Sequence, residues 1–400
     1  MNKDVKKILV VLGLYAFAGG VFYNFQELWM AENNLSINTI STVFSLCALI
    51  SVSIIFLSSN LIKPQKLKKF ITILMFIKIA VLVTMFFLNQ SGLNILIKFI
   101  TMVDYAVDTE IYTCIYPLIS LIGKDDKVYA MRGLIYDTCY YIGVILVSLL
   151  LGKTISILTI SYNTYLLIAA LCMLGATIVL MSVNMDKYIT NVENDNSDDI
   201  LFKLIKKLKT DKISIYYLLF LFFGNVAYYS IMGILLTILT KKLEFTPSVA
   251  SDFKLGIGIG AVLLGTLILS KLTMKNNYAN ISVKYVGRLI TYLLVIIFYS
   301  KITILLAILY TGLTSSSYAH VTDAPYINRF DSESQLAFAN LKEMMSYFSR
   351  AVGIFLCGWC FVIGLSMNFL VASFAISLGI IFAFLALYNL NREKESSNDR

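Results

Sequence analysis

The sequence predicts an all-α membrane protein of about twelve transmembrane helices arranged as two parallel six-helix bundles. Three observations carry that expectation: the composition, the length of the apolar blocks, and the alternation of basic with uncharged loops. Of 400 residues 58% are apolar and 14% charged, with a mean hydropathy of +0.78, against roughly 45–50% apolar and about 25% charged for soluble domains. A soluble fold of this length has no interior able to hide so much apolar side chain. The apolar residues also fall in blocks of about 20, the length that crosses a ~30 Å hydrocarbon layer at 1.5 Å per residue.

Taken in order, the blocks place spans at 8–30, 37–58, 70–88, 93–121, 130–151, 160–182, 213–240, 248–270, 282–300, 302–323, 336–359 and 362–389. The first follows a basic stretch with Lys3, Lys6 and Lys7, as a signal peptide would. No small-residue cleavage site follows it and Glu27 interrupts the pattern, so it is read as a retained first helix. Orientation follows from Lys and Arg. Lys63, Lys66, Lys68 and Lys69, then Lys124, Lys127 and Arg132, then Lys271, Lys275 and Lys284 occupy alternate loops. By the positive-inside rule those loops are cytoplasmic, which puts both termini inside an inner (plasma) membrane and requires an even number of spans. The net charge of +9 is thereby matched to anionic lipid at the bilayer surface, and nucleic acid is not expected as a partner.

The middle of the chain divides it. Residues 191–199 are polar and acidic, and Leu201, Leu204, Ile205 and Leu208 then alternate with Lys203, Lys206, Lys207 and Lys209 at helical spacing, the pattern of an interfacial amphipathic helix. The expected organisation is a first bundle at 1–182, a cytoplasmic linker at 183–212, a second bundle at 213–390 and a tail at 391–400. The halves echo one another at a spacing of about 210 residues: Ser36 with Thr246 as hydroxyl N-caps, Arg132 with Lys342, Gly143 with Gly353, and Pro117 near Pro325.

This organisation resembles the major facilitator superfamily over nearly the whole chain. The family's loop signature between the second and third helices corresponds to 59–69, where the basic end survives in Lys66, Lys68 and Lys69 while Lys63 stands where an Asp belongs. The antiporter signature of the fifth helix, a Gly-Pro followed by paired Gly, is missing from 140–147. The resemblance implies a monomeric secondary transporter that moves a small-molecule substrate by alternating access, coupled to protons, with export favoured over uptake by symport. A sensor or chaperone built on the same scaffold is the alternative from another class.

Charges inside the spans mark the candidate site, because a charged side chain in a bilayer costs at least ~2.5–3.5 kcal/mol. The fourth span holds Asp104, Asp108 and Glu110. Asp104 lies roughly 18 Å and Asp108 roughly 24 Å from its outer end. As an i, i+4 pair these two acids share one face, from which Glu110 points away. Two carboxylates so close raise each other's proton affinity, as a proton-coupling or cation site requires. Arg350 is the matching base, able to hold an anionic group or to pair an Asp, and Asp137, among Tyr136, Tyr140 and Tyr141, is a candidate gate or coupling residue. Secondary candidates are Tyr23, Asn24 and Glu27 at the outer end of the first span, where a charge can reach the headgroups, and His320 with Asp323 at the inner end of the tenth. Lys78 and Lys98 are read as snorkelling.

Cys357 and Cys360 form a C-x-x-C inside a span, without the strand that redox chemistry wants or the second pair that zinc wants, and are read as packing residues. Neither a nucleotide-binding loop, a metal-ligand cluster nor a nucleophile elbow is visible, so enzymatic activity, a cofactor and direct ATP coupling are not expected. The topology makes a direct prediction: impermeant thiol reagents applied to intact cells will label cysteines introduced at Asn33 and Asn89 and spare those at Asn194 and Ser397. Labelling at Asn194 reverses the model of orientation.

Overall fold

The computed structural model describes residues 3–32, 35–61, 66–88, 94–122, 135–136, 138–146, 162–184, 206, 208–263, 277–315, 326, 329–330 and 332–398. The regular structure among them is helical. In chain order the helices are α1 (Lys3–Glu32), α2 (Ile37–Leu61), α3 (Leu67–Leu88), α4 (Asn94–Ile122), α5 (Tyr162–Met181), α6 (Lys212–Met232), α7 (Leu235–Lys241), α8 (Pro247–Val262), α9 (Asn277–Ile281), α10 (Gly287–Ile297), α11 (Lys301–Leu313), α12 (Ser332–Ile363) and α13 (Leu365–Asn398). A helical stretch at 138–146 precedes α5, and a π-helical turn, Ser282–Val286, joins α9 to α10. Helix is the form that satisfies its own backbone N–H and C=O groups where lipid offers no partner.

Seven described helices are long and apolar enough to cross a membrane: Lys3–Tyr23, Ile37–Leu57, Leu67–Leu88, Thr164–Met181, Lys212–Lys241, Asn340–Ile363 and Leu365–Glu393. Outward-facing Ile95, Leu171, Ile302, Ile363 and Phe374 are at least two-thirds exposed. An apolar surface of that kind is suited to lipid. Residues 191–199, most of the amphipathic stretch after them, Arg132, Asp137, His320, Asp323 and Pro325 lie outside the described residues, as does the side chain of Asn24.

Helix starts follow local chemistry. Ser36 Oγ accepts from Thr39 N at 3.3 Å before α2, and Thr246 Oγ1 accepts from Val249 N at 3.3 Å before α8. These are the two hydroxyl N-caps expected at the 210-residue spacing. Ser300 and Thr303 form a capping box at α11. The span expected at 213–240 is interrupted: α6 stops at Met232, Gly233 and Ile234 form a turn, and α7 begins at Leu235. The stretch expected as a tail, 391–400, is helical as far as Asn398.

The chain divides into two compact units. Unit 1 comprises Met1–Val43, Ser53–Asp195 and Leu236–Leu255. Within it α1 packs on α5, and α3 packs on α4 and α5, around buried Ile8, Leu12, Ile71 and Tyr165. Lys7 and Lys68 donate to the Met181, Ser182 and Val183 carbonyls at the end of α5, where cations offset the helix dipole. Close approach of α1 to 138–146 depends on glycine. A Cβ on Gly143 would lie 2.6 Å from Phe17 O, and one on Gly20 would overlap the Tyr140 carbonyl.

Unit 2 comprises Phe44–Val52, Asn196–Leu235 and Gly256–Arg400. There α6 packs on α12 and α13, and α10 packs on α11 and α13. Gly353, the counterpart of Gly143 in the spacing, sits where a Cβ would lie 2.7 Å from Tyr229 Cβ and 3.0 Å from Val226 O. Buried Asn368 ties two helices by donating to Ser230 O at 3.0 Å and Cys357 O at 2.8 Å. Both Cys357 and Cys360 are free thiols in buried positions. At the polar end of the unit Arg329 forks between two acids, reaching Asp211 Oδ2 at 3.0 Å and Glu393 at 2.9 and 3.1 Å. Asp211 also caps α6, accepting from Ile213 N at 3.2 Å and Ser214 Oγ at 2.6 Å.

Two stability outcomes follow from these contacts. Gly143→Ala should destabilise the purified protein by ~1–3 kcal/mol through overpacking, read as a lower thermal midpoint in detergent. Gly175→Ala, whose Cβ would meet Leu14 at an ordinary 3.6 Å, is the tolerated control. At Asp211, burial pushes the carboxyl up, but the hydrogen bonds from Ser214 and Arg329 and the Arg329 charge outweigh it and hold the carboxyl below its ordinary range. Its stabilisation is therefore full above about pH 4, the unfolded value, and disappears as pH falls through the folded value. Asp211→Ala should cost about 1 kcal/mol at pH 7 and nothing in strong acid. A penalty that persists at low pH contradicts the assignment.

Candidate functional site

The site is built where α1, α3 and α4 meet in unit 1. On α4, Asp104 and Asp108 are separated by one helical turn and do share a face. Both reach the same base, Lys78 of α3: Nζ lies 2.7 Å from Asp104 Oδ1 and 3.4 Å from Asp108 Oδ1. This corrects the reading of Lys78 as a snorkelling side chain. It is 3% exposed, and its position about 16 Å along α3 from Leu67 leaves it too far from either end to reach water. The acid in need of a partner lies one helix away. Arg350 stands on α12 in unit 2, with its guanidinium carbon 5.2 Å from the centre of the Tyr229 ring.

Tyr23 of α1 completes the cluster. Its hydroxyl donates to Asp104 Oδ2 at 3.2 Å and receives a short hydrogen bond from Lys78 Nζ. The Lys78 ammonium also lies 4.6 Å from the Tyr23 ring centre and 6.0 Å from that of Phe22, within cation–π range. One turn away on α4, the backbone carbonyl of Asp108 accepts from Tyr15 Oη at 3.1 Å, which fixes α4 against α1. The two acids differ in surroundings. Asp104 is fully buried, whereas the Asp108 side chain is 22% exposed.

Asp108 lines a narrow recess of about 10 Å³, the room of a single water, together with Tyr15, Phe22, Tyr23, Lys78 and Met173. Behind Tyr15 runs a chain of rings: Tyr15 to Tyr136 at 6.4 Å, Tyr136 to Tyr112 at 5.6 Å, and Tyr136 to Tyr140 at 6.3 Å with the planes 10° apart. Asp137 falls outside the described residues; of the tyrosines expected around it, Tyr136 meets the ring of Tyr15, which lines this recess. Glu110 is buried on another face of α4, where Cys114 Sγ approaches Oε1 at 3.4 Å.

Glu27 does not extend toward headgroups. It is 7% exposed and accepts backbone N–H groups of Leu236, at 3.3 Å, and Thr237. These lie in the first turn of α7, after the α6–α7 interruption, where helix amides lack an acceptor within their own helix. Arg288, absent from the candidates, is 2% exposed on α10 and donates to Thr311 O, Thr314 O and Thr314 Oγ1 at 2.7–3.1 Å. It sits within an otherwise apolar block, the same signal that singled out Arg350. Among the described residues no group of three His, Cys, Asp or Glu side chains could hold a metal ion.

No protein-family model matches the sequence, and no curated protein matches it. Solved structures do match. The nucleoside transporter NupG superposes with a TM-score of 0.70 at 13% identity, covering 97% of this chain and 99% of its own. The E. coli fucose:proton symporter FucP gives 0.65 at 13% identity, covering 96% and 98%. The human organic anion transporter MFSD10 gives 0.63 at 11% identity, covering 96% and 100%. At such identities the likeness is one of fold: over nearly its whole length this chain adopts the major facilitator fold of membrane transporters.

Proposed function

We propose that this chain is a secondary active transporter of a small organic solute, working by alternating access between two six-helix halves and driven by protons exchanged at Asp104, Asp108 and Lys78. The observation that carries the reading is the ratio of two buried or half-buried carboxylates to one buried ammonium. With both acids ionised the cluster is one charge negative in an apolar interior, where an unmatched charge is costly. A proton on one acid makes it neutral, with the remaining carboxylate free to keep Lys78. Asp108, open to the recess, is the acid that exchanges, and Asp104, sealed with Tyr23 and Lys78, is the one that holds. Coupling requires only that the two conformations differ in their affinity for that proton.

The fold supports transport rather than catalysis, and the direction we assign is export, on the shortness of the loops. Uptake is the second reading, favoured by the symporter among the solved structures of like fold. In this proposal the protein acts as a monomer in the inner membrane with both termini cytoplasmic. Arg350, Glu110 and Asp137 are secondary members of the transport path.

The test is solute flux in proteoliposomes with and without an imposed pH gradient, normalised to reconstituted protein, using the solute that thermal-shift screening of the purified chain selects. Asp108→Asn should lose accumulation against a gradient at least tenfold while keeping downhill exchange. Lys78→Ala, which strands Asp104, should cost ~3–5 kcal/mol of stability and lower the yield of folded protein. Gradient-driven accumulation that survives Asp108→Asn at parental levels removes the cluster from coupling.

A further inference from the structure

We infer that one corner of unit 1, where the starts of α1 and α3 meet the end of α5, is a binding site for an anionic phospholipid of the phosphatidylglycerol class. The corner gathers charge that the described protein does not neutralise. Lys3, Lys6 and Lys7 open α1, and Lys66, Lys68 and Lys69 stand at the start of α3. Among the described residues the first turns of the two helices set one acid, Asp4, against them. Both helices pack on α5, and their lysines meet at its last carbonyls: Lys7 Nζ lies 2.5 Å from Ser182 O, and Lys68 Nζ lies 2.6 Å from Val183 O and 3.0 Å from Met181 O. A carbonyl fixes an ammonium in place without cancelling its charge. Lys3, Lys6, Lys66 and Lys69 are exposed, and no ion pair engages them among the described residues. The N-terminal ends of two helices add positive partial charge of their own.

Beyond the lysines the same helix faces turn apolar. On α1, Lys3, Lys6 and Val10 follow one another at i, i+3 and i+7, and on α3, Lys69, Ile73 and Phe76 at i, i+4 and i+7. Each helix therefore carries its ammonium groups directly above exposed apolar side chains. On α5 the exposed Leu171, Leu174, Ile178 and Met181 form an outward stripe that ends at the carbonyls where Lys7 and Lys68 meet. Cations at the head of an apolar face are the complement of a phosphate at the head of acyl chains. A free phosphate or an acidic stretch of protein would use the lysines and leave the stripes bare. A zwitterionic lipid would use the stripes but bring a cation of its own to the lysines. A lipid of net negative charge uses both, and bound there it braces α1 and α3 across the end of α5.

The experiment titrates the purified full chain, in micelles of an uncharged detergent, with phosphatidylglycerol, phosphatidylcholine or glycerol 3-phosphate and follows the unfolding midpoint. Phosphatidylglycerol should raise the midpoint saturably, with an effect that added salt weakens by screening, while the other two leave it near its starting value. Lys6→Gln combined with Lys69→Gln should weaken the apparent affinity about thirtyfold, roughly fivefold for each lysine at the surface. Lys6→Arg combined with Lys69→Arg keeps the charge and should keep the response. Lys209→Gln combined with Lys212→Gln removes the same charge from exposed positions at the start of α6 in unit 2. That control should respond as the parent does, which separates a site from general adsorption. No response to phosphatidylglycerol, an equal response to phosphatidylcholine or glycerol 3-phosphate, or equal weakening by the two Gln pairs overturns the inference. So does a Lys6→Gln, Lys69→Gln midpoint that falls in lipid-free detergent by as much as phosphatidylglycerol raises the parent's, because the lysines then serve a contact within the protein.

Discussion

The contact between the Lys78 ammonium and the Asp104 carboxylate is the constraint around which unit 1 is organised. Each charge alone would make its helix a poor resident of an apolar interior, and α4 carries Lys98, Asp108 and Glu110 as well. At 2.7 Å, with Asp104 fully buried, the pair converts two isolated penalties into one polar contact that fixes the rotation of α3 against α4. The position of α1 is set by the same contact, because Tyr23 bridges the two charges and Tyr15 bonds the α4 backbone one turn along. Shifting any of these three helices by one residue would rotate a charge onto an apolar face. Asp108, the second and longer partner of Lys78 at 3.4 Å, remains half-buried beside this pair.

The same economy of polar groups governs the helix ends. The N–H groups released at the α6–α7 interruption find the Glu27 carboxylate, the C-terminal carbonyls of α11 find the Arg288 guanidinium, and those of α5 find Lys7 and Lys68. Acids stand at N-termini and bases at C-termini, in the sense that the helix dipole favours. The buried charges of the described residues thus differ in kind: Glu27 and Arg288 satisfy backbone ends that lipid cannot, whereas Lys78 and Asp104 satisfy each other.

Much of the architecture was legible from residues alone. Block length points to the seven described helices able to cross a membrane, the Ser36 and Thr246 hydroxyls mark two helix starts that the hydrogen bonds bear out, and i, i+4 spacing places Asp104 and Asp108 on one face with Glu110 elsewhere. What escaped was partner choice. Lys78 was assigned to snorkelling because a lysine stem suits that behaviour near a helix end, but whether a base sits near an end or beside an acid depends on which helices adjoin, and periodicity holds no such information. Glu27 misleads for the same reason: its N–H donors lie about 210 residues away, just after an interruption that Gly233 marks. Arg288 lies within the expected span 282–300 and carries the same signal as Arg350, a lone base in an apolar block, which the selection of candidates passes over.

Glu27 and the interruption above it explain each other. Two amides without acceptors would be poorly tolerated in an apolar interior, so the break between Met232 and Leu235 is stable only with an outside acceptor, and a carboxylate on α1 is tolerated only with donors. Unit 1 takes up the chain again at Leu236, the residue whose N–H Glu27 accepts. The segment Leu236–Leu255 is therefore anchored to α1 at its first residue, and a carboxylate with two N–H donors, as a charge-assisted contact, is stronger than any apolar contact the seven-residue α7 could make by itself. Unit 1 thus holds polar contacts of both sorts: a charge pair that fixes the register of α3 against α4, and a carboxylate that holds backbone N–H groups at a helix start.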